Sequence, residues 1–354
     1  MVIEFENIFV QLVLTFAAAF AVGILLRRLN VPGALMVGGV IGAAFLSVCF
    51  NCAYMPKEGK LAAQILTGAF LGCTMDFDDP SLLKKTIKPA AILLAGYMAI
   101  TMLLGVIIHA LEDIDLLTAM CSAIPGGTQE TPLIAEDMGA NAVQVAVLQF
   151  VRMFFGVSLF PIMISRVPDT SSEGNQTAGI KAAKKKKEKN PAKTVCVVAA
   201  AGVFGVIGKK LGIPAGALIF ALVGTLIAKR FLGKVYIPVW LKRLAQLLSG
   251  SYVGSSFSRQ DLSEISSLIL PAIIIVAGFL CFCWLMGFVL QKTCGMSRRE
   301  SMLASTPAGA SDMALVSSDM GVESQSLLLI HMLRLVCVPV IFPQVIHLVL
   351  NMFD

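Results

Sequence analysis

Six apolar stretches approach the ~20 residues that a helix needs to cross ~30 Å of hydrocarbon. They are Ile8–Leu26, Val31–Phe50, Pro89–Ile108, Ala142–Ile164, Pro271–Leu290 and Leu327–Leu350. Of 354 residues, 57% are hydrophobic and 14% charged, well below the ~25% charged of a soluble domain. The mean hydropathy of +0.83 leaves too little polar surface for a fold in water, so the expected class is an all-α integral membrane protein. Glu4 and Glu6 precede the first stretch and Arg27-Arg28 follow it, which are the wrong flanks for a cleaved signal peptide.

The chain is also duplicated. An ungapped offset of 182 places Pro32 on Pro214, Gly42 on Gly224, Gln64 on Gln246, Gly68 on Gly250, Gly72 on Gly254 and Pro89 on Pro271. It goes on to place Pro125 on Pro307, Gly127 on Gly309, Glu130 on Asp312, Arg152 on Arg334 and Pro161 on Pro343. Chance does not align prolines, glycines and intramembrane charges in one register. Residues 1–166 read as the first membrane repeat and 194–354 as the second. Between them, 167–193 carries Lys184–Lys187 among Ser, Thr, Gly and Asn. Such a segment cannot bury a core and reads as a disordered basic linker, expected on the cytoplasmic side near anionic lipid.

Each half offers five crossings, at about 8–26, 31–50, 61–75, 89–109 and 142–165 and their counterparts. Between the fourth and fifth lies a segment broken at its centre, Leu116–Asp137 and then Ser301–Asp319. Proline beside glycine interrupts the helical ladder, and such backbone survives at membrane depth only under protein or in a wet cavity. If each broken segment turns back, the halves are inverted relative to one another. With the N-terminus outside, 13 basic residues then fall inside and 5 outside, the linker and Arg166 beside it not counted. A full crossing with the N-terminus inside splits them 10 to 8. The positive-inside rule favours two inverted repeats of five helices, each with a re-entrant hairpin. Opposed broken helices at the midplane are the layout of secondary transporters. Half-helix N-termini there are expected to offer bare N–H groups to an anion.

The first tip runs Pro125, Gly126, Gly127, Thr128, Gln129, Glu130. The second runs Ser305, Thr306, Pro307, Ala308, Gly309, Ala310, Ser311, Asp312. Glycine at the turn is expected to adopt positive φ and admit a ligand to the backbone. Arg152 and Arg334 lie within the fifth crossings, where an arginine needs a carboxylate, a carbonyl or a ligand. Gln149 and His331 stand three residues earlier on the same helical faces, and His331 is expected to be buried and hydrogen-bonded. Two roles stay open. Glu130 with Arg152 and Asp312 with Arg334 are buried ties, or the arginines clamp an anion and the acids take a coupling H+ or Na+. No cofactor or metal is expected: nine cysteines make one lone CxxC, Cys49 to Cys52, and there are three histidines. The expected partners are a small solute, the lipid bilayer and, in a homodimer, a second copy, with no nucleic acid.

Pro125-Gly126-Gly127-Thr128-Gln129-Glu130 followed by Leu148-Gln149-Phe150-Val151-Arg152 resembles the duplicated AbrB family of bacterial membrane proteins. Thr306-Pro307-Ala308-Gly309-Ala310-Ser311-Asp312-Met313 with Ile330, His331 and Arg334 repeats the pattern. This sequence departs from it at Thr131, Ala308, Asp312 and His331, which bears on ligand identity. The resemblance implies a multi-pass protein of the bacterial inner membrane. One label attached to the family, ammonia monooxygenase, calls for a histidine-rich metal site that this sequence lacks, so no enzyme is expected. Another, regulation of gene expression, can act only indirectly here, because no soluble DNA-reading module is present. The expected function is secondary transport of a small organic anion, with a membrane-embedded solute sensor as the rival.

Overall fold

The computed structural model describes residues 8–29, 33–74, 80–167, 191–213, 215–233, 235, 238–259, 261, 265–307, 322 and 324–351. Among these residues there are helices and no strands. The first half holds α1 (Ile8–Arg28), α2 (Ala34–Phe50), α3 (Lys57–Thr74), α4 (Pro80–Leu111), α5 (Leu116–Ser122), α6 (Thr131–Asp137) and α7 (Ala142–Ser165). The second holds α8 (Pro191–Lys210), α9 (Gly216–Leu232), α10 (Val239–Ser255), α11 (Ile269–Cys294), α12 (Arg298–Ala304) and α13 (Gln325–Leu350). Shifted by 182, α2 falls on α9 and α5 on α12, end to end. Asp115 and Ser297, one repeat position, cap α5 and α12 by accepting from Thr118 N and Glu300 N. Of the linker, residues 168–190 lie outside the described residues, and α8 begins three residues before the expected start of the second repeat.

Among the described residues six helices are long and apolar enough to cross a membrane: α1, α4, α7, α8, α11 and α13. They turn large apolar side chains outward, such as Phe9, Phe154, Val203 and Trp284, as a lipid-facing surface does. The chain is a multi-pass helical membrane protein. The other four expected crossings are of a different kind. Helices α2 and α9 have 17 residues, about 25 Å. Helices α3 and α10 carry polar residues through their middles, including Gln64, Thr67, Gln246 and Ser249.

The elements sort into two bundles. One holds α1–α3 with α8–α10; the other holds α4–α7 with α11–α13, built on a single apolar core. Within the first bundle the packing is reciprocal: α3 lies on α9 and α10 on α2. A Cβ at Gly68 would meet the carbonyl of Leu218 at 2.6 Å, and one at Gly250 would run into that of Met36. Met36 and Leu218 are themselves one repeat position. Helices α3 and α10 run antiparallel, because the Lys60 ammonium lies 5.6 Å from the Tyr252 ring and that of Lys242 5.0 Å from the Phe70 ring. These two contacts are also equivalents under the offset.

The broken segment falls where the sequence places it, with α5 and α6 on either side of residues 123–130. Its two ends come back together, since Asn141 N, at the cap of α7, donates to Thr118 Oγ1 in the first turn of α5 at 2.9 Å. Of the second segment, α12 and the residues through Pro307 are described; Ala308, Gly309, Ser311 and Asp312 lie outside the described residues.

Candidate functional site

Breaking a helix in an apolar interior leaves its last carbonyls without partners, and the side chains of α7 meet that need. Gln149 Nε2 donates to the carbonyls of Cys121, Ser122 and Ile124 at 3.2, 3.1 and 3.0 Å. Thr101 Oγ1, on α4, donates to Ala123 O at 3.2 Å. Arg152 Nη2 donates to Gly126 O at 3.0 Å and to Gln149 Oε1 at 2.5 Å. In the second half Arg334 Nη1 donates to Thr306 O and to the Tyr97 hydroxyl at 3.1 Å. There the hydroxyls of Ser305 and Thr306 bond to Met302 O in place of the amide.

His331, which stands at the Gln149 position, does not repeat its role. It is buried, but neither ring nitrogen has a hydrogen-bond partner, which corrects the expectation that it would be bonded. A side-chain amide on a flexible stem spreads its two N–H groups over several carbonyls, whereas a short rigid imidazole does not reach them.

Glu130 and Arg152 are not tied to each other. Among the described residues the ion pairs are those of Lys60 with Glu136 and Asp137, at 3.1 and 2.7 Å. Arg152 is 2% exposed, all its partners are neutral, and its Nε and Nη1 have none. Glu130, 4% exposed, turns the other way: its Oε1 accepts from Gln129 Nε2 at 2.7 Å, and its Oε2 is unpartnered.

The tip glycines also depart from expectation. Gly126 and Gly127 are not among the positive-φ residues. What Gly127 provides is room, since a Cβ there would overlap the Glu130 carboxylate. Helix α6 does direct its N-terminus at the tip, but it has seven residues, Glu130 stands at its cap, and Thr131 N is already bonded to Gly127 O. The buried positive charge beside this tip is that of Arg152. Thr128 Oγ1 donates to Met153 Sδ at 3.8 Å, and Pro125 is buried at the break.

Several residues at this centre escaped the sequence reading. The Arg152 guanidinium lies 5.9 Å from the Phe279 ring and that of Arg334 5.8 Å from the Tyr97 ring. Tyr97 and Phe279 share a repeat position, so each arginine covers the ring contributed by the other half. Thr67 and Ser249, also equivalents, flank Gln129: its Nε2 reaches Thr67 Oγ1 at 3.4 Å, and its carbonyl accepts from Ser249 Oγ at 2.7 Å. Applying the 182-residue offset to aromatic and hydroxyl positions, and not only to glycines, prolines and charges, would have found both pairs.

At the far end of α6, Tyr252 OH donates to Glu136 Oε1 at 2.7 Å and Gln64 Nε2 to Asp137 Oδ2 at 2.6 Å. With the Lys60 pairs, these contacts clamp the hairpin to α3 and α10. A cleft of about 330 Å³ opens there, lined by Lys57, Lys60, Gln64, Asp137, Lys209 and Tyr252 among others. Below Lys60, Gln64 and Thr67 continue along one face of α3 toward Gln129. Among the described residues no three His, Cys, Asp or Glu side chains are grouped to hold a metal ion.

The model of the family described as "Transition state regulatory protein AbrB" matches residues 2–168 and again 114–350. A Bacillus subtilis (strain 168) protein named "Uncharacterized protein YhjN" is 23% identical over 292 residues, 79% of this chain and 76% of its own. An Escherichia coli (strain K12) protein named "Putative regulator AbrB" is 22% identical over 319 residues, 86% of this chain and 87% of its own. With the family pattern matched twice and nearly the whole length spanned, the chain belongs to the AbrB family.

Proposed function

We propose that the protein is a secondary transporter of a small organic anion, which binds at Arg152 beside the first hairpin tip. One observation carries this reading: Arg152 is buried, has no acidic partner and holds two guanidinium nitrogens without acceptors. A cation in that state is costly, and a carboxylate from solution supplies both the missing charge and the missing acceptors. Thr306 and Arg334 furnish the second half's contribution, with Phe279 as an apolar wall, and Tyr97 of the first half holds Arg334. The two bundles meet in polar contacts around the first tip and its clamp, so sliding one past the other alters the site first. The tip and arginine act as binding groups, and no bond of the solute is broken.

In this reading the halves are inverted and the first broken segment is re-entrant. Two contacts support it. The bond between Thr118 and Asn141 joins the segment's entry to its exit. Lys60, at the start of α3, pairs with Asp137, at the end of α6. If α3 and α4 both cross, the start of α3 and the end of α4 share a side, and Asp137 then lies on that side too. Cysteines placed at Asp113 and Ser172 in a cysteine-free background are expected to label from opposite faces of the inner membrane, with Ser172 reached from the cytoplasm. Labelling of both from one face of intact cells would exclude this topology.

The name of the Escherichia coli relative favours a second reading, a membrane-embedded sensor that binds solute and affects gene expression indirectly. Thermal unfolding of purified protein against a panel of organic anions, then uptake of each hit into proteoliposomes, separates the two. Saturable uptake is expected for the carrier. Binding without flux identifies the sensor, and no stabilisation by any anion removes the anion site.

A further inference from the structure

The first tip is divided by charge. On its α7 side stand donors without acceptors, the Nε and Nη1 of Arg152; on its α3 and α10 side stand acceptors without donors, Gln129 Oε1 and Glu130 Oε2. Gln129 is 7% exposed and Glu130 4%, so water does not satisfy them freely. The two free oxygens belong to one bonded pair, because Gln129 Nε2 donates to Glu130 Oε1 at 2.7 Å. Gln129 and Glu130 are adjacent residues, and that bond holds the amide and the carboxylate side by side. The other bundle holds the pair in place through Thr67 Oγ1 and through Ser249, which fixes the Gln129 carbonyl.

A buried carboxylate without a positive partner is costly. Lys242 lies within electrostatic reach of Glu130, yet its ammonium is placed over the Phe70 ring at 5.0 Å and forms no ion pair with the acid. Either a proton or a metal cation can neutralise Glu130. A proton leaves the Gln129 amide oxygen as it was, because an amide is not protonated near neutral pH. A hard cation takes both oxygens and accepts hydroxyl and carbonyl oxygens for the rest of its shell. One carboxylate balances one positive charge, which favours a monovalent ion over a divalent one.

We infer that Gln129 Oε1 and Glu130 Oε2, beside the Thr67 hydroxyl, bind Na⁺. The ion's role rests on the transport reading above: it is the coupling cation for the anion at Arg152. Gly126, whose carbonyl Arg152 holds, and Glu130 are four residues apart on one tip, so cation binding fixes the loop against which the anion is clamped. The binding itself needs no solute.

The test uses full-length purified protein with no organic anion present. NaCl is titrated against choline chloride at constant ionic strength and pH while thermal unfolding is followed. A ligand that binds only the folded state raises Tm with concentration, so Na⁺ is expected to give a saturable rise that choline does not. Glu130→Gln keeps the shape and loses the charged ligand, and is expected to weaken the response about tenfold or more. Gln129→Leu serves as a second variant for the same site, and Asp113→Asn, in the exposed loop after α4, should respond like the wild type. Equal Tm in Na⁺ and choline, a response to pH alone, or full Na⁺ affinity in Glu130→Gln would each overturn the site. Because the assay contains no solute, its failure leaves the anion reading standing. Failure of the anion panel leaves the sodium site standing in turn.

Discussion

Arg152→Met is expected to leave the protein folded and to abolish its response to the anion that stabilises the wild type. The two effects are predicted to separate because Arg152 has no ionic partner among the described residues. Removing one member of a buried ion pair costs roughly 3–5 kcal/mol of stability, since the other charge is left alone. Here the change strands two neutral acceptors, Gly126 O and Gln149 Oε1, and removes a buried charge that is itself unfavourable. In the absence of anion the Tm should therefore shift little, in either direction. With anion, loss of a charged hydrogen-bonding partner costs roughly 2–5 kcal/mol of binding, a thirtyfold or greater loss of affinity. Arg152→Lys keeps the charge without the planar donors and should fall between the two. Unfolding followed with and without the anion, on protein of equal monodispersity, reads both quantities. A folded Arg152→Met protein with unchanged anion affinity takes this residue out of the site, and one that fails to fold makes it a structural tie.

The sequence carried the backbone plan well and the side-chain pairings poorly, for one physical reason. Prolines, glycines and intramembrane charges act on their own stretch of chain, so Pro125-Gly126-Gly127 marks a break that α5 and α6 then bracket. Because the copies share a register, α2 and α9 begin and end at equivalent positions. Which side chain meets which is decided by how the halves pack. Arg152 lies over Phe279 and Arg334 over Tyr97, each contact reaching into the other repeat, where no local pattern points. The expected tie between Glu130 and Arg152 failed on the same ground. Both are buried on neighbouring elements, but the acid is bonded by Gln129, which contacts α3 and α10, and the arginine by Gly126 and Gln149, beside Phe279 of α11. The polar content of α3 and α10, which sets them apart from the six helices long and apolar enough to cross a membrane, is also explained by packing: they supply Thr67 and Ser249 to the tip and Lys60, Gln64 and Tyr252 to the clamp.

Gly127→Val is expected to eliminate both the sodium response and anion binding while the protein still inserts into the membrane. Gly126→Ala, one residue away, should be mild. Their surroundings give the reason. A Cβ on Gly126 would lie 2.9 Å from Thr131 Oγ1 and 3.4 Å from Ile124 and Val338 side-chain carbons. The Thr131 hydroxyl can rotate away and give up its bond to Gly127 O, at a cost of about 1 kcal/mol. A Cβ on Gly127 would occupy the place of the Glu130 carboxylate, which must then swing out and release Gln129. Backbone strain is not the cause, since neither glycine has positive φ. A double-mutant cycle isolates the mechanism. If Gly127 acts through Glu130, then Gly127→Ala made on Glu130→Gln should reduce sodium affinity by much less than it does on the wild type, because neighbours that share one interaction are not additive. Full additivity would mean that Gly127 supports the tip by some other contact, and normal sodium and anion binding in Gly127→Val would show that the tip does not form the site.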